Sequence, residues 1–174
     1  VWEIVLDPAE KITLTYTENY QPLFIIIALV LLVVILYYAL RSKVAIDKSA
    51  EVMEMQEGGI SKIKITLNIR NRSSKKIEHI KVIEKIPNIA EYIKEDYLGT
   101  LKPSKVLKHD QKGTLLKWDI DQLDGFEERM VTYKIKSRLT ILGNMILSPS
   151  VVKFKNPSGK ITITHSNKYK LRMQ

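Results

Sequence analysis

The chain contains no cysteine. That excludes a disulfide framework, a thiolate metal site and a cysteine nucleophile, so a folded domain here must be held by its own core. Histidine is scarce too: His79, His109 and His165 are scattered, with no HxH or HxxxH spacing to make a ligand pair. A Gly-rich phosphate loop, a GxSxG elbow and an SxxK motif are all missing, which removes the nucleotide-binding and acyl-transfer templates. One stretch lacks charge altogether. Leu23 to Leu40, LFIIIALVLLVVILYYAL, holds neither a charged nor an amide side chain.

At 1.5 Å per residue this run covers about 27 Å, close to the hydrocarbon thickness of a bilayer. In lipid each backbone N–H and C=O must be satisfied within the segment, so a single span has to be a helix despite its many β-branched residues. Tyr20 precedes the run, Tyr37 and Tyr38 sit in its last turn, and Arg41 and Lys43 follow. These are the aromatic and basic residues that anchor a span at its two interfaces. A signal peptide is the competing reading. It fits less well, because the run is long, no basic region precedes it and no small-residue cleavage site follows.

The run also divides the charge. One lysine and four acids precede it, leaving 27 basic and 15 acidic side chains after it, a balance of −3 against +12. Lysine and arginine beside a span are retained on the cytoplasmic side. Arg41, Lys43 and Lys48 therefore place the C-terminal part in the cytoplasm and residues 1–22 outside.

Residues 1–16 alternate apolar and polar about Asp7-Pro8, a hairpin pattern. Two strands alone are marginal in water, so residues 1–22 read as the remnant of a β-domain extending upstream. Behind the span at 23–40, residues 41–59 read as a membrane-proximal segment, with a short strand at 44–46 and then a stretch whose Glu51, Glu54, Glu57 spacing allows a helix. Residues 60–172 form the large domain, whose first strand alternatively begins at 44. Ile63, Ile65, Leu67 and Ile69 alternate with polar residues, and a turn from Asn71 leads to a strand at 77–86 that Pro87 ends. These two strands are expected to pair as a hairpin. Residues 88–105 suggest a loop or one helical turn before Gly99. Further short strands are expected at 106–109, 113–120, 128–139, 145–147, 151–154 and 161–165, separated by turn residues, which favours an antiparallel β-sandwich. About 130 residues suffice for one core.

WEIVLDPAEKITLTY at 2–16 echoes WDIDQLDGFEERMVTY at 118–133. In the second copy Trp118, Ile120 and Leu123 fill a core from one strand, Gly125 makes the turn, Glu127 follows, and Tyr133 closes the next strand. This W-x-I-x-x-L-x-x-x-E-x-x-x-x-x-Y pattern, with NIRNRSSKKIEHIKVIEKIP at 68–87 and Gly99, resembles a conserved repeat domain of unknown function in archaeal and bacterial membrane-anchored surface proteins. The resemblance implies an immunoglobulin-like sandwich, often repeated and tethered to membranes. Members of that family usually lie outside the cell, against the orientation read from the charges. An external upstream copy and an internal complete copy would reconcile the two. The sequon Asn71-Arg72-Ser73 would suit an external domain.

The acidic group Asp119, Asp121, Asp124, Glu127 and Glu128 is mis-spaced for an EF-hand, and Trp118 and Ile120 put its start in a strand. Neither a metal, a cofactor nor a catalytic set is expected. The expected function is a non-enzymatic, single-pass membrane protein carrying an immunoglobulin-like scaffold or protein-interaction domain, whose edge strands suit strand addition by a protein partner or a second copy. The alternative is a basic tethered module for anionic lipid or RNA. Nucleic acid is disfavoured because lysine outnumbers arginine and no aromatic-basic cluster is visible.

Overall fold

A computed structural model describes residues 13, 15–56, 59–94, 100–109, 111, 113–141, 144–156 and 159–171. The upstream hairpin and the 2–16 copy of the repeat, apart from residues 13, 15 and 16, lie outside the described residues. So do Glu57 and Gly99. The chain divides into two compact units, Val1–Arg41 and Ser42–Gln174.

The first unit carries the helix α1, Gln21–Leu40. Pro22 stands in its first turn, where a missing N–H costs no intrahelical bond. At the other end the Arg41 N–H donates to the Tyr37 carbonyl at 3.1 Å. The helix is apolar on every side and none of its residues is buried. Its mean hydropathy of 3.2 and its length suffice to cross a membrane.

The second unit is an antiparallel, immunoglobulin-like β-sandwich with eleven strands among the described residues: β1 (Val44–Gln56), β2 (Gly59–Asn71), β3 (Ile77–Ile86), β4 (Ala90–Ile93), β5 (Lys105–His109), β6 (Gly113–Leu123), β7 (Glu128–Ile141), β8 (Met145–Leu147), β9 (Val151–Lys155), β10 (Ile161–His165) and β11 (Tyr169–Leu171). One sheet has the order β1-β2-β7-β4 and the other β10-β9-β3-β6-β5, while β8 and β11 pair separately. Period-two alternation gives the central strands one dry side, while the edge strands β5 and β10 carry no buried residue. Ile63, Ile65, Leu67 and Ile69 of β2 and Val131, Tyr133 and Ile135 of β7 line one layer. Ile80 and Val82 of β3, Leu116, Trp118 and Ile120 of β6, and Val152 and Phe154 of β9 line the other.

Three expectations change. β2 and β3 are not a hairpin, since β2 lies between β1 and β7 while β3 lies between β6 and β9. The turn after Asn71 is an inter-sheet corner, built on an Asn71 side chain with no exposure. Its Nδ2 donates to the carbonyls of Lys75 and Asp124, both at 2.8 Å, and its Oδ1 accepts from the Ser73 N–H at 3.0 Å and the Ser73 hydroxyl at 2.8 Å. The amide of the sequon is thus committed inside the fold. Secondly, residues 47–56 continue β1 instead of forming a helix. The register with β2 slips between Val52 and Glu54, which returns Glu54 to the outer face beside Glu51, opposite Lys62 and Lys64. A spacing of three, read as helical, comes from that bulge. Thirdly, residues 90–93 are an edge strand paired with β7, its Tyr92 buried.

Candidate functional site

Two inward positions of the sandwich carry charge where the alternation calls for an apolar residue. Lys48 follows Val44 and Ile46 on β1, and Glu84 stands between Val82 and Ile86 on β3. Their strands belong to opposite sheets. Lys48 Nζ lies 2.7 Å from Glu84 Oε1, with the two side chains 0% and 2% exposed. The ammonium also donates to the Ser148 carbonyl, and the other carboxylate oxygen accepts from the Ser150 hydroxyl. Tyr133 of β7 donates its hydroxyl to the same carboxylate.

The surrounding segments close over this group. The Ser150 N–H donates to Ser166 Oγ at 2.8 Å and the Ser166 N–H to the Ser150 carbonyl at 3.0 Å. Asn167 grips the backbone of Lys48 twice, accepting its N–H at 2.7 Å and donating to its carbonyl at 2.9 Å. Each charge is therefore paired and hydrogen-bonded, the condition under which a buried charge is tolerated. Shut away from solvent, this cluster holds together β1, β3, β7 and the chain around 148–150 and 166–167.

Burial, then the field of Glu84 and its hydrogen bond, push the Tyr133 hydroxyl well above its ordinary value. A raised folded-state pKa contributes stability that is complete below pH 10 and is lost as pH climbs toward the folded value, because only the unfolded tyrosine ionises readily. In an absorbance titration at alkaline pH, one tyrosine should stay un-ionised until the sandwich unfolds, and the lag should vanish in Tyr133→Phe. A tyrosinate titration with no delayed group would contradict this.

Trp118 packs against Tyr133 with ring centroids 5.7 Å apart, and its indole N–H donates to the Leu101 carbonyl at 3.0 Å. Ile120 and Leu123 are buried beside it. Gly125 and Glu127 shape the turn to β7. A Cβ on Gly125 would lie 2.4 Å from the Ser74 carbonyl oxygen, so only glycine lets the two turns meet. Glu127 accepts the Asp124 N–H at 2.6 Å and Arg129 Nε at 2.7 Å. That backbone bond first, and Arg129 second, lower its carboxyl pKa. The acidic stretch is thus a turn whose Glu127 is answered by its own backbone and Arg129 and whose Glu128 is paired with Arg70 at 3.1 Å, while Asp119 and Asp121 face out from β6. The Pro87 carbonyl accepts the Ala90 N–H at 3.0 Å at the entry to β4.

At the end of α1, Tyr37 and Tyr38 meet edge to face at 5.4 Å, and the Arg41 guanidinium lies 5.8 Å from the Tyr37 ring centroid. Tyr20 and Lys43 are exposed. The histidines stay apart: His109 ends β5, His165 ends β10, and His79 takes a φ of 54° at an irregularity of β3. His79 lines an open cleft of about 380 Å³ with Lys76, Glu78, Lys155, Asn156 and Gly159.

No family model and no curated protein matches the chain. Among solved structures the sandwich is similar to BcpA, the major pilin subunit of Bacillus cereus, at 12% identity and a TM-score of 0.53, covering 74% of this chain and 40% of the pilin. A second structure of that pilin gives a TM-score of 0.52 at 11% identity. A GH20 exo-β-N-acetylglucosaminidase of Vibrio harveyi is matched at 10% identity and a TM-score of 0.43, over 72% of this chain and 18% of the enzyme. The chain thus spans two fifths or less of these proteins' lengths, and at such identity the pilin likeness speaks for the β-sandwich fold alone.

Proposed function

We propose that the protein is a non-enzymatic, single-pass membrane protein whose immunoglobulin-like sandwich works as a scaffold or protein-binding module beside the bilayer. One observation carries this reading. A charge-free helix of 20 residues runs into the first strand of the sandwich through Arg41, Ser42 and Lys43 alone. If the helix spans, three residues cannot carry the sandwich far from the lipid surface.

The basic residues after the helix favour the cytoplasm for the sandwich and the outside for residues 1–22. Tyr20, Tyr37, Tyr38, Arg41 and Lys43 are the interfacial anchors in this reading. The 118–133 pattern supports kinship with the repeat domain of membrane-anchored surface proteins. Partner binding would use the edge strands β4 or β5, whose outer backbone groups can accept an added strand.

Alkaline carbonate extraction and proteolysis of sealed vesicles test both halves. The chain should remain with the membrane pellet, and the sandwich should be digested only once the vesicles are opened. Release into the supernatant would overturn the anchor, and digestion from outside would overturn the orientation.

A further inference from the structure

The two outward faces of the sandwich treat their lysines differently. On the four-stranded sheet, Lys62 faces Lys136 and Lys64 faces Lys134 across β2 and β7. Those rows are neutralised at their flanks, since Glu54 stands opposite Lys62, Glu51 opposite Lys64 and Glu91 opposite Lys136. Ion pairs form at 2.8 Å for Lys62 with Glu54 and 3.6 Å for Lys64 with Glu51.

The five-stranded sheet also sets lysine against lysine, Lys81 opposite Lys153 and Lys105 opposite Lys117. Here the flanks answer only in part. The row through Lys117 and Lys105 continues to Ile83 and Val151, and holds no acid. The row through Lys153 and Lys81 meets one carboxylate, Asp119, and the ion pairs among the described residues leave Lys81, Lys105, Lys117 and Lys153 out. At the two edges of this face stand exposed apolar side chains, with Ile161 70% and Ile163 51% exposed on β10 and Leu107 57% exposed on β5. Like charges directly opposite one another destabilise a sheet, so this face, whose facing lysines make no ion pair among the described residues, gains more from an external anion than the other face does.

We propose that the outer face of the five-stranded sheet docks on the anionic headgroups of a bilayer. This rests on the reading of α1 as a span. The anionic cytoplasmic leaflet attracts basic residues held near it, and a short tether keeps the face at high effective concentration beside that surface. Lysines reach the phosphates while Ile161, Ile163 and Leu107 meet the headgroup boundary. Compact ammonium groups without stacking aromatics suit a diffuse layer of phosphates better than they suit bases.

The full chain, reconstituted in phosphatidylcholine vesicles with or without phosphatidylglycerol, would be acetylated briefly and its lysines quantified by mass spectrometry. Phosphatidylglycerol should slow modification of Lys81, Lys105, Lys117 and Lys153 on the order of fivefold, and high salt should remove that protection. Lys62 and Lys64 should react equally in both lipids. Carbonate extraction of the same samples reads the span separately, so an extractable chain would fail the anchor, and a retained chain with unprotected lysines would fail the docking face. Equal protection of both faces, or protection arising only when RNA is added to the phosphatidylcholine vesicles, would overturn the proposal. Charge reversal by Lys117→Glu with Lys153→Glu should abolish the difference between lipids, with the sandwich's circular dichroism retained.

Discussion

Glu84→Ala should destabilise the sandwich by about 3–5 kcal/mol, because it strands the Lys48 ammonium in a dry interior. The carboxylate is the shared partner of Lys48, Ser150 and Tyr133, so the substitution also leaves two hydroxyls short of an acceptor. Against a typical total stability of about 5–15 kcal/mol, the loss takes much of the fold. Removing both charges should cost less than removing one. Lys48→Met with Glu84→Gln keeps an acceptor for Ser150 and Tyr133 and strands no ion, so it should recover about half or more of the Glu84→Ala loss. Urea unfolding followed by circular dichroism gives the cycle. A Glu84→Ala cost below about 1 kcal/mol, or a double variant no better than that single one, would show that the pair does not hold the sheets.

The second large effect is expected at Trp118. It is 1% exposed in the inner layer of β6, and its loss opens a cavity between the sheets beside Tyr133. Trp118→Ala should cost about 3–5 kcal/mol by lost transfer energy and the unfilled space. Trp118→Phe keeps a ring against Tyr133 but orphans the Leu101 carbonyl, so it should cost about 1–3 kcal/mol. The same urea unfolding separates them. Equal losses would mean that the ring contributes little and the hydrogen bond dominates.

Much of this architecture is legible in the chain itself. The charge-free run of α1 has one physical outcome in lipid, and the alternation through Trp118, Ile120 and Leu123 marks which side of β6 is dry. Alternation does not reveal which strand lies alongside. The corner at Asn71 and a hairpin turn have the same polar composition, and only the partners of the Asn71 amide tell them apart. The Glu51 and Glu54 spacing misleads for a related reason, since a bulge restores by backbone geometry what period two would place on the opposite face. The Lys48–Glu84 pair did leave a signal, a charge of each sign at an inward position. Its meaning depends on β1 and β3 facing each other, a relation that arises from the topology and not from either strand. The unequal lysine faces are likewise invisible until the register is known, because both sheets show the same polar-apolar rhythm.

The grip of Asn167 on Lys48 joins residues 119 positions apart. On a ribosome adding about 5–20 residues per second, roughly 6–24 s separate the synthesis of the two. Throughout that interval β1 has emerged with its lysine but without the segment that encloses it. The apolar helix, made earlier still, can be in the bilayer before the sandwich is able to lock. Nascent chains interrupted before Asn167 should therefore be anchored yet protease-sensitive, with Asn167 acting as the fastener for the first strand.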